Sequence, residues 1–391
     1  MRLLSSRPPA LLSLRSPTSL LPMLSLGALF TSLAAMVIAP TLLAQGQPPR
    51  TGKQIYDTAC AACHGPDGKG MPQPTVGFSV PLADLTPCTF NTREPSADWA
   101  AIVHDGGPVR AFDRLMPAFG DALTWEEIEK VVAYIKGFCA EAAWPRGELN
   151  FPRAIATEKA YPEDEVVITS SIATEGNKAA ANKFIYERRF GARNQMEVIV
   201  PYTMASRRFD GWSIGIGDVA LGAKRAVYHD LAAGRILSVA GEVVLPTGNR
   251  ERGFGKGYAV FEPFVSYGQA LPSDGFLQFQ SGMEVPADRD HADEAFWRFA
   301  VGKSFVQGRF GRTWSPMVEI LGVKELEEGV AAQWDILPGV QVTLPTRQHI
   351  MAAAGVRFPL NKRDERSTQL VFYLLWDWFD GGFLEGWRGA R

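Results

Sequence analysis

Cys60-Ala61-Ala62-Cys63-His64 is the stretch of this 391-residue chain whose residue types and spacing specify a chemistry most directly. Two thiols one helical turn apart can each add to one vinyl group of a single porphyrin. The next residue, His64, then lies beneath the iron as its proximal ligand. The segment reads as the attachment site of one covalent haem c. The competing use of such a cysteine pair is structural zinc. That would need about four Cys or His ligands, and only His104 and the distant Cys88 and Cys139 could complete the set. No second CxxCH occurs.

The flanking elements are those needed to present such a site. Gly52 to Cys60 reads as a short helix with Ile55 and Tyr56 on its inner face. Gly65-Pro66-Asp67-Gly68-Lys69-Gly70 is a turn-rich exit. Ser96 can cap a helix carrying Trp99, Ile102 and Val103, and Met116-Pro117-Ala118-Phe119 follows. Thr124-Trp125-Glu126-Glu127 forms a capping box, opening a helix with Ile128, Val131, Val132 and Ile135 at amphipathic spacing.

On Gly52 and Tyr56, CAACHG, MPAF and the closing VVAYIKGF, residues 51–140 resemble the class I cytochrome c family. The resemblance implies an all-α domain whose first and last helices cross where Gly52 or Tyr56 meets Tyr134. It also implies that Met116 is the distal iron ligand. A thioether is soft and polarisable, and His/Met ligation raises the reduction potential. Met71, seven residues after His64, would have to wrap the haem edge too tightly. His104 is a second rival, but it reads as a solvated helix end. With both axial positions filled by His64 and Met116, small molecules do not reach the metal easily. Electron transfer is then favoured over oxygen chemistry, and an electron carrier over an enzyme.

Arg2, Arg7 and Arg15 are the only charges before Arg50, and the apolar run Leu20–Leu43 leads to Ala44-Gln45-Gly46. This is the layout of a secretory signal, with cleavage expected after Ala44. An uncleaved anchor is the alternative, against which Pro40 argues. Either places the rest of the chain outside the inner membrane. There the leftover pair Cys88 and Cys139 is a disulfide candidate, with two buried free thiols as the alternative. The chain has 40 Lys and Arg against 42 Asp and Glu. The basic residues are scattered and imply no strongly basic face, so no nucleic-acid partner is expected.

Residues 141–163 carry Pro145, Pro152 and Pro162 and no sustained period. They read as a linker running along the domain surface, packed partly through Trp144 and Phe151. From residue 164 the pattern is two-residue alternation in twelve segments, as in Leu277-Phe279-Ser281-Met283-Val285 against Gln278, Gln280 and Glu284. A soluble sandwich and a membrane barrel both fit alternation. The even count, the segment length and alternating short and long connections favour a 12-stranded outer-membrane β-barrel. Gly191–Arg193 and Thr346–Gln348 read as short turns; 206–216, 247–256, 287–294 and 361–368 read as long loops. Trp297, Trp314, Trp334, Trp376 and Trp378 suit interfacial girdles. The face opposite the apolar one holds Glu197, Glu242, Glu262, Glu284, Glu319, Asp335 and Asp377 against Lys224, Arg298 and Arg357. That composition fits an ion-pair network with some water. Gly215-x-Gly217-x-x-Ala220 mimics a dinucleotide fingerprint but lacks its helix.

The stretches Gly215–Lys224 and Gly241–Gly248 and the aromatic last strand Leu370–Phe379 are similar to outer-membrane barrel proteins associated with aromatic degradation. The whole chain resembles fused cytochrome–porin proteins. The expected organisation is a signal peptide at 1–44, a cytochrome c domain at 45–140, a linker at 141–163 and a barrel at 164–391. The resemblance implies electron exchange at the periplasmic face, with a redox protein or small redox-active species as partner and outer-membrane lipid around the barrel. A pore with a cytochrome plug or redox sensor is one alternative. A soluble periplasmic oxidoreductase is another, although His229, His291 and His349 show no ligand spacing.

Overall fold

A computed structural model of the chain describes residues 48–175, 179–207, 211–307, 312–344 and 350–377. The expected export signal, His349, Trp378, the turn at 346–348 and the chain terminus lie outside these residues. No helix among the described residues is long and apolar enough to cross a membrane.

The first unit of secondary structure is helical. Helix α1 comprises Gly52–Ile55, a π-helical turn Tyr56–Cys60, and Ala61–His64. Thr51 and Gln54 cap it reciprocally. Short turns α2 (Gln73–Val76) and α3 (Cys88–Asn91) precede α4 (Ser96–Asp105) and α5 (Trp125–Lys136). The expected box at Thr124 and Glu127 opens α5, whose Ile128, Val131, Val132 and Ile135 are buried. Ser96 does not cap α4. It is the first helical residue, and Glu148 Oε1 accepts its N–H at 3.0 Å. The cap is supplied from 52 residues away, which no local pattern encodes.

Helices α1 and α5 cross at Gly52. A Cβ there would lie 2.1 Å from Lys130 O and 3.0 Å from Tyr134 Cβ, so only glycine permits the approach. Tyr56 is fully buried, with its ring 5.3 Å from Tyr134 and 5.4 Å from Phe138. Cys88 and Cys139 form a disulfide across a separation of 51 residues.

The remainder is a closed antiparallel barrel of twelve strands. In chain order they are β1 (Glu165–Ala173), β2 (Ala179–Phe190), β3 (Asn194–Arg207) and β4 (Gly211–Ile216 and Ala220–Asp230). Then come β5 (Arg235–Val244), β6 (Val260–Leu271), β7 (Gly275–Pro286) and β8 (Glu294–Lys303 and Phe305–Gln307). The last four are β9 (Arg312–Glu325), β10 (Gln333–Thr343), β11 (Ile350–Pro359) and β12 (Gln369–Asp377). Each strand pairs with its neighbours in sequence, and β12 pairs with β1 from Asp377↔Glu165 to Gln369↔Ala173, so no edge is left open.

The expected loop at 206–216 is instead a hairpin. Strands β3 and β4 stay paired as far as Arg207↔Gly211. The break in β4 falls at Gly217-Asp218-Val219, where Asp218 accepts from Gly248 N at 2.8 Å and Lys256 N at 2.6 Å. The Gly215–Ala220 stretch is therefore strand and a loop anchor. The apolar positions point outward: Phe184, Val239, Phe261, Val265, Val301, Phe372 and Leu374 are all exposed. Trp297 and Trp334, in ring contact at 5.2 Å, lie at the long-loop rim. Trp314, 40% exposed, lies at the short-turn rim; Trp376 shares that rim but is buried.

The linker departs from expectation. It does not run along the surface but enters the barrel. Phe151 packs where a Cβ on Gly268 would stand, and Ile155 Cδ1 fills the space above Gly339 and Gly355. We call residues 149–164 the strap.

Candidate haem site and barrel lumen

The CxxCH segment occupies the end of α1. Cys60 is buried, and burial together with the neighbouring Cys63 pushes its thiol up to about 11. Cys60 and Cys63 are free thiols, although the other two cysteines are joined. Tyr56 Oη donates to Gly65 O at 2.6 Å, and Gly70 N donates to His64 O at 2.8 Å, so the exit from the motif is held on both sides. His64 Nδ1 is buried with no hydrogen-bond partner. Burial also lowers the His64 pKa, which favours the neutral imidazole that can ligate a metal.

Met116 is half-buried against the helical core, as is Phe119. Its backbone is fixed by Gly107 N donating to Met116 O at 2.9 Å, and a Cβ on Gly107 would lie 3.2 Å from Met116 Cβ. His104, the rival ligand, leans over Gly120 and lies 5.5 Å from the Trp125 ring, with Nδ1 2.9 Å from Asp105 Oδ1. It sits at the partly exposed end of α4. Two free thiols on adjacent turns, a buried neutral imidazole with an orphaned nitrogen and a half-buried thioether fit a covalently held haem. Cys60, Cys63, His64 and Met116 are the residues that would hold it.

The helical domain is fixed to the short-turn end of the barrel. Asp164, fully buried, accepts from Arg93 and from Arg189 N at 3.0 Å. Tyr161 Oη donates to Thr92 O and Pro145 O, each at 3.3 Å, and Arg193 Nε donates to Ala143 O at 3.0 Å. The chain then passes directly into the lumen as the strap.

Inside, wall and strap are joined by hydrogen bonds and ion pairs. The Glu319 carboxylate accepts from Ile155 N at 2.7 Å, Thr157 N at 2.8 Å and Thr157 Oγ1 at 2.7 Å. Arg153 binds Glu165 and, at 2.9 Å, Glu187; Lys159 binds Glu163 and, at 3.4 Å, Glu165. Lys224 donates to Glu158 at 2.7 Å and Lys159 O at 2.9 Å. Arg298 donates to Ala156 O at 3.1 Å, and Tyr373 Oη to Arg153 O at 2.7 Å. Above the strap lies a cavity of about 410 Å³ lined by Glu197, Glu242, Glu262, Glu284, Arg298 and Arg357 among others. Asp335 there is held by Arg357 and Arg366. The residues of alternating register expected to face inward do so. Sequence reasoning missed Arg153, Glu158, Lys159 and Glu187. The available signal was the inward-facing glycines 268, 339 and 355, which leave room for an internal segment.

Residues 47–135 match the family model described as "Cytochrome C oxidase, cbb3-type, subunit III". No curated protein sequence matches the chain. Among solved structures, it is similar to an outer membrane channel from Pseudomonas putida F1, at 12% identity and TM-score 0.42, covering 57% of this chain and 98% of that one. The NanC porin (10% identity, TM-score 0.40; 54% and 98% covered) and the KdgM porin (9%, 0.36; 55% and 98%) are further similar structures. The barrel itself rests on the strand pairing above. The cytochrome c family implies covalently bound haem c. Residues 47–135 thus carry a cytochrome c family-model domain, and the chain continues as a closed 12-stranded antiparallel β-barrel.

Proposed function

We propose that the protein is an electron-transfer cytochrome with one haem c, anchored in the outer membrane by its barrel and exchanging electrons at the periplasmic face. The observation that carries this reading is the pairing of free Cys60 and Cys63 with the orphaned, buried His64 Nδ1, in a domain tied to the short-turn end of a barrel with an apolar exterior. When bound, the haem supplies a one-electron iron couple. Cys60 and Cys63 would tether it, and His64 and Met116 would ligate its iron. Short turns face the periplasm in barrels of this class, which supports the stated side.

The test is spectroscopic. The protein should show a Soret band that survives acid–acetone extraction, and a Cys60→Ser/Cys63→Ser variant should lose it. Met116→Ala should lose the low-spin His/Met signature; an unaltered spectrum would exclude Met116 as the distal ligand. A second reading, a redox-sensitive pore, is favoured by the strap, which joins the haem domain directly to the lumen filling. Planar-bilayer conductance that differs between reduced and oxidised protein would support it, and identical conductance would exclude it.

A further inference from the structure

Glu187 in β2 is fully buried and only half satisfied. Its Oε1 accepts from Arg153 at 2.9 Å, whereas its Oε2 has no hydrogen-bond partner. A buried carboxylate oxygen facing nothing positive or protic is costly. Three carboxylate oxygens, one each from Glu187, Glu197 in β3 and Glu158 in the strap, lie within 4.8 Å of one another. Two ligands each about 2.4 Å from one ion stand at most about 4.8 Å apart, so one ion of that bond length can reach all three oxygens. Calcium tolerates irregular oxygen geometry, whereas magnesium demands near-ideal octahedral ligation.

The charge balance points the same way. Glu158, Glu163, Glu165, Glu187, Glu197 and Glu242 are buried or half-buried around the strap, and the bases bonded to them are Arg153, Lys159 and Lys224. Glu197 and Glu242 close over Gly222, where a Cβ would lie 2.8 Å from Glu197 Oε1 and 2.9 Å from Glu242 Cγ. Negative charge in such surroundings is offset by a positive species or by protonation. Glu158 and Glu197 also line the acidic cavity above the strap, which gives a cation a route inward.

We propose that Glu158, Glu187 and Glu197 bind one hard divalent cation of calcium size, entering through the cavity and cross-linking the strap to the barrel wall. An all-oxygen donor set selects Ca²⁺ or Mn²⁺ over soft metals. The site is independent of the redox role of the haem domain.

Full-length holoprotein in detergent, stripped with EDTA, is titrated with Ca²⁺ and Mn²⁺ and probed by Tb³⁺ luminescence. One ion per chain is expected, with a higher melting temperature on binding. Glu187→Gln and Glu197→Gln should each weaken Ca²⁺ binding at least tenfold, and Glu284→Gln, at the long-loop end of the cavity, should change it less than threefold. Heat-modifiable migration on gels confirms that each variant is folded. If Glu187→Gln fails to fold, Glu197→Gln alone carries the comparison. Absence of millimolar Ca²⁺, Mn²⁺ or Tb³⁺ binding by the folded wild type would overturn the proposal, assigning the excess charge to protonated carboxylates. Binding unchanged in the folded Gln variants would overturn it as well.

Discussion

Lys136 shows how one residue of the helical domain carries a measurable cost. Its ammonium is buried beneath α4, donating to Asn91 O at 2.6 Å and Glu94 O at 2.7 Å and lying 4.4 Å from the Trp99 ring. Desolvation outweighs the nearby Glu148 and Glu94 and pulls its pKa from 10.5 down to about 8. Between those values the unfolded chain holds a proton that the folded domain has released, so stability rises with pH across that window and is lower below it. The denaturation midpoint of the haem domain should increase from pH 8 to pH 10, and Lys136→Met should flatten the rise. An equal slope in the variant would remove Lys136 as its source. Glu319 has a comparable role in the barrel. Charge-assisted hydrogen bonds contribute about 1.5–3 kcal/mol each, and Glu319 accepts several from the strap. Glu319→Ala should expose residues 149–164 to protease in the folded barrel; a strap that stays protected would show that other contacts suffice.

At the scale of elements, the strap and the disulfide tie pieces together that are far apart in sequence. The Cys88–Cys139 bond closes a loop of 51 residues, worth roughly 4 kcal/mol in the chain-entropy model. Cys88→Ser should lower the stability of the haem domain by about 2–4 kcal/mol, measured by denaturant, while leaving heat-modifiable barrel migration intact. The strap depends on small residues in the strands it crosses. A Cβ at Gly339 would come 2.6 Å from Ile155 Cδ1, and one at Gly355 would come 2.7 Å. Gly339→Val should therefore displace the strap and raise conductance. Helices α1 and α5 were legible because their signals are local, a capping box and a 3.6-residue period, whereas their crossing at Gly52 followed from the resemblance to class I cytochromes c. The Glu148 cap on α4 was not legible, since its donor and acceptor lie 52 residues apart.

For the whole molecule, strap and wall share one ion-paired interior. A fragment of residues 164–391 lacks Arg153, Ile155, Thr157, Glu158 and Lys159, so Glu165, Glu187, Lys224 and Glu319 lose partners that they have in the full chain. That fragment should refold in detergent as a heat-modifiable β-rich species with a lower melting temperature and larger conductance than a fragment beginning at residue 141. Equal conductance would mean that the strap does not occlude the lumen.

The sequence by itself determined the haem motif, the helix pair around it, the twelve strands and the side of each strand that faces inward. These follow from spacing and period, which are properties of neighbouring residues. Only the tertiary structure decided where the linker goes. Residues 141–163 have no period of their own, and their conformation is set by partners on β1, β2, β4, β7, β9 and β12 that converge only once the barrel has closed. A segment with no local preference takes the path along which its buried charges and N–H groups are met.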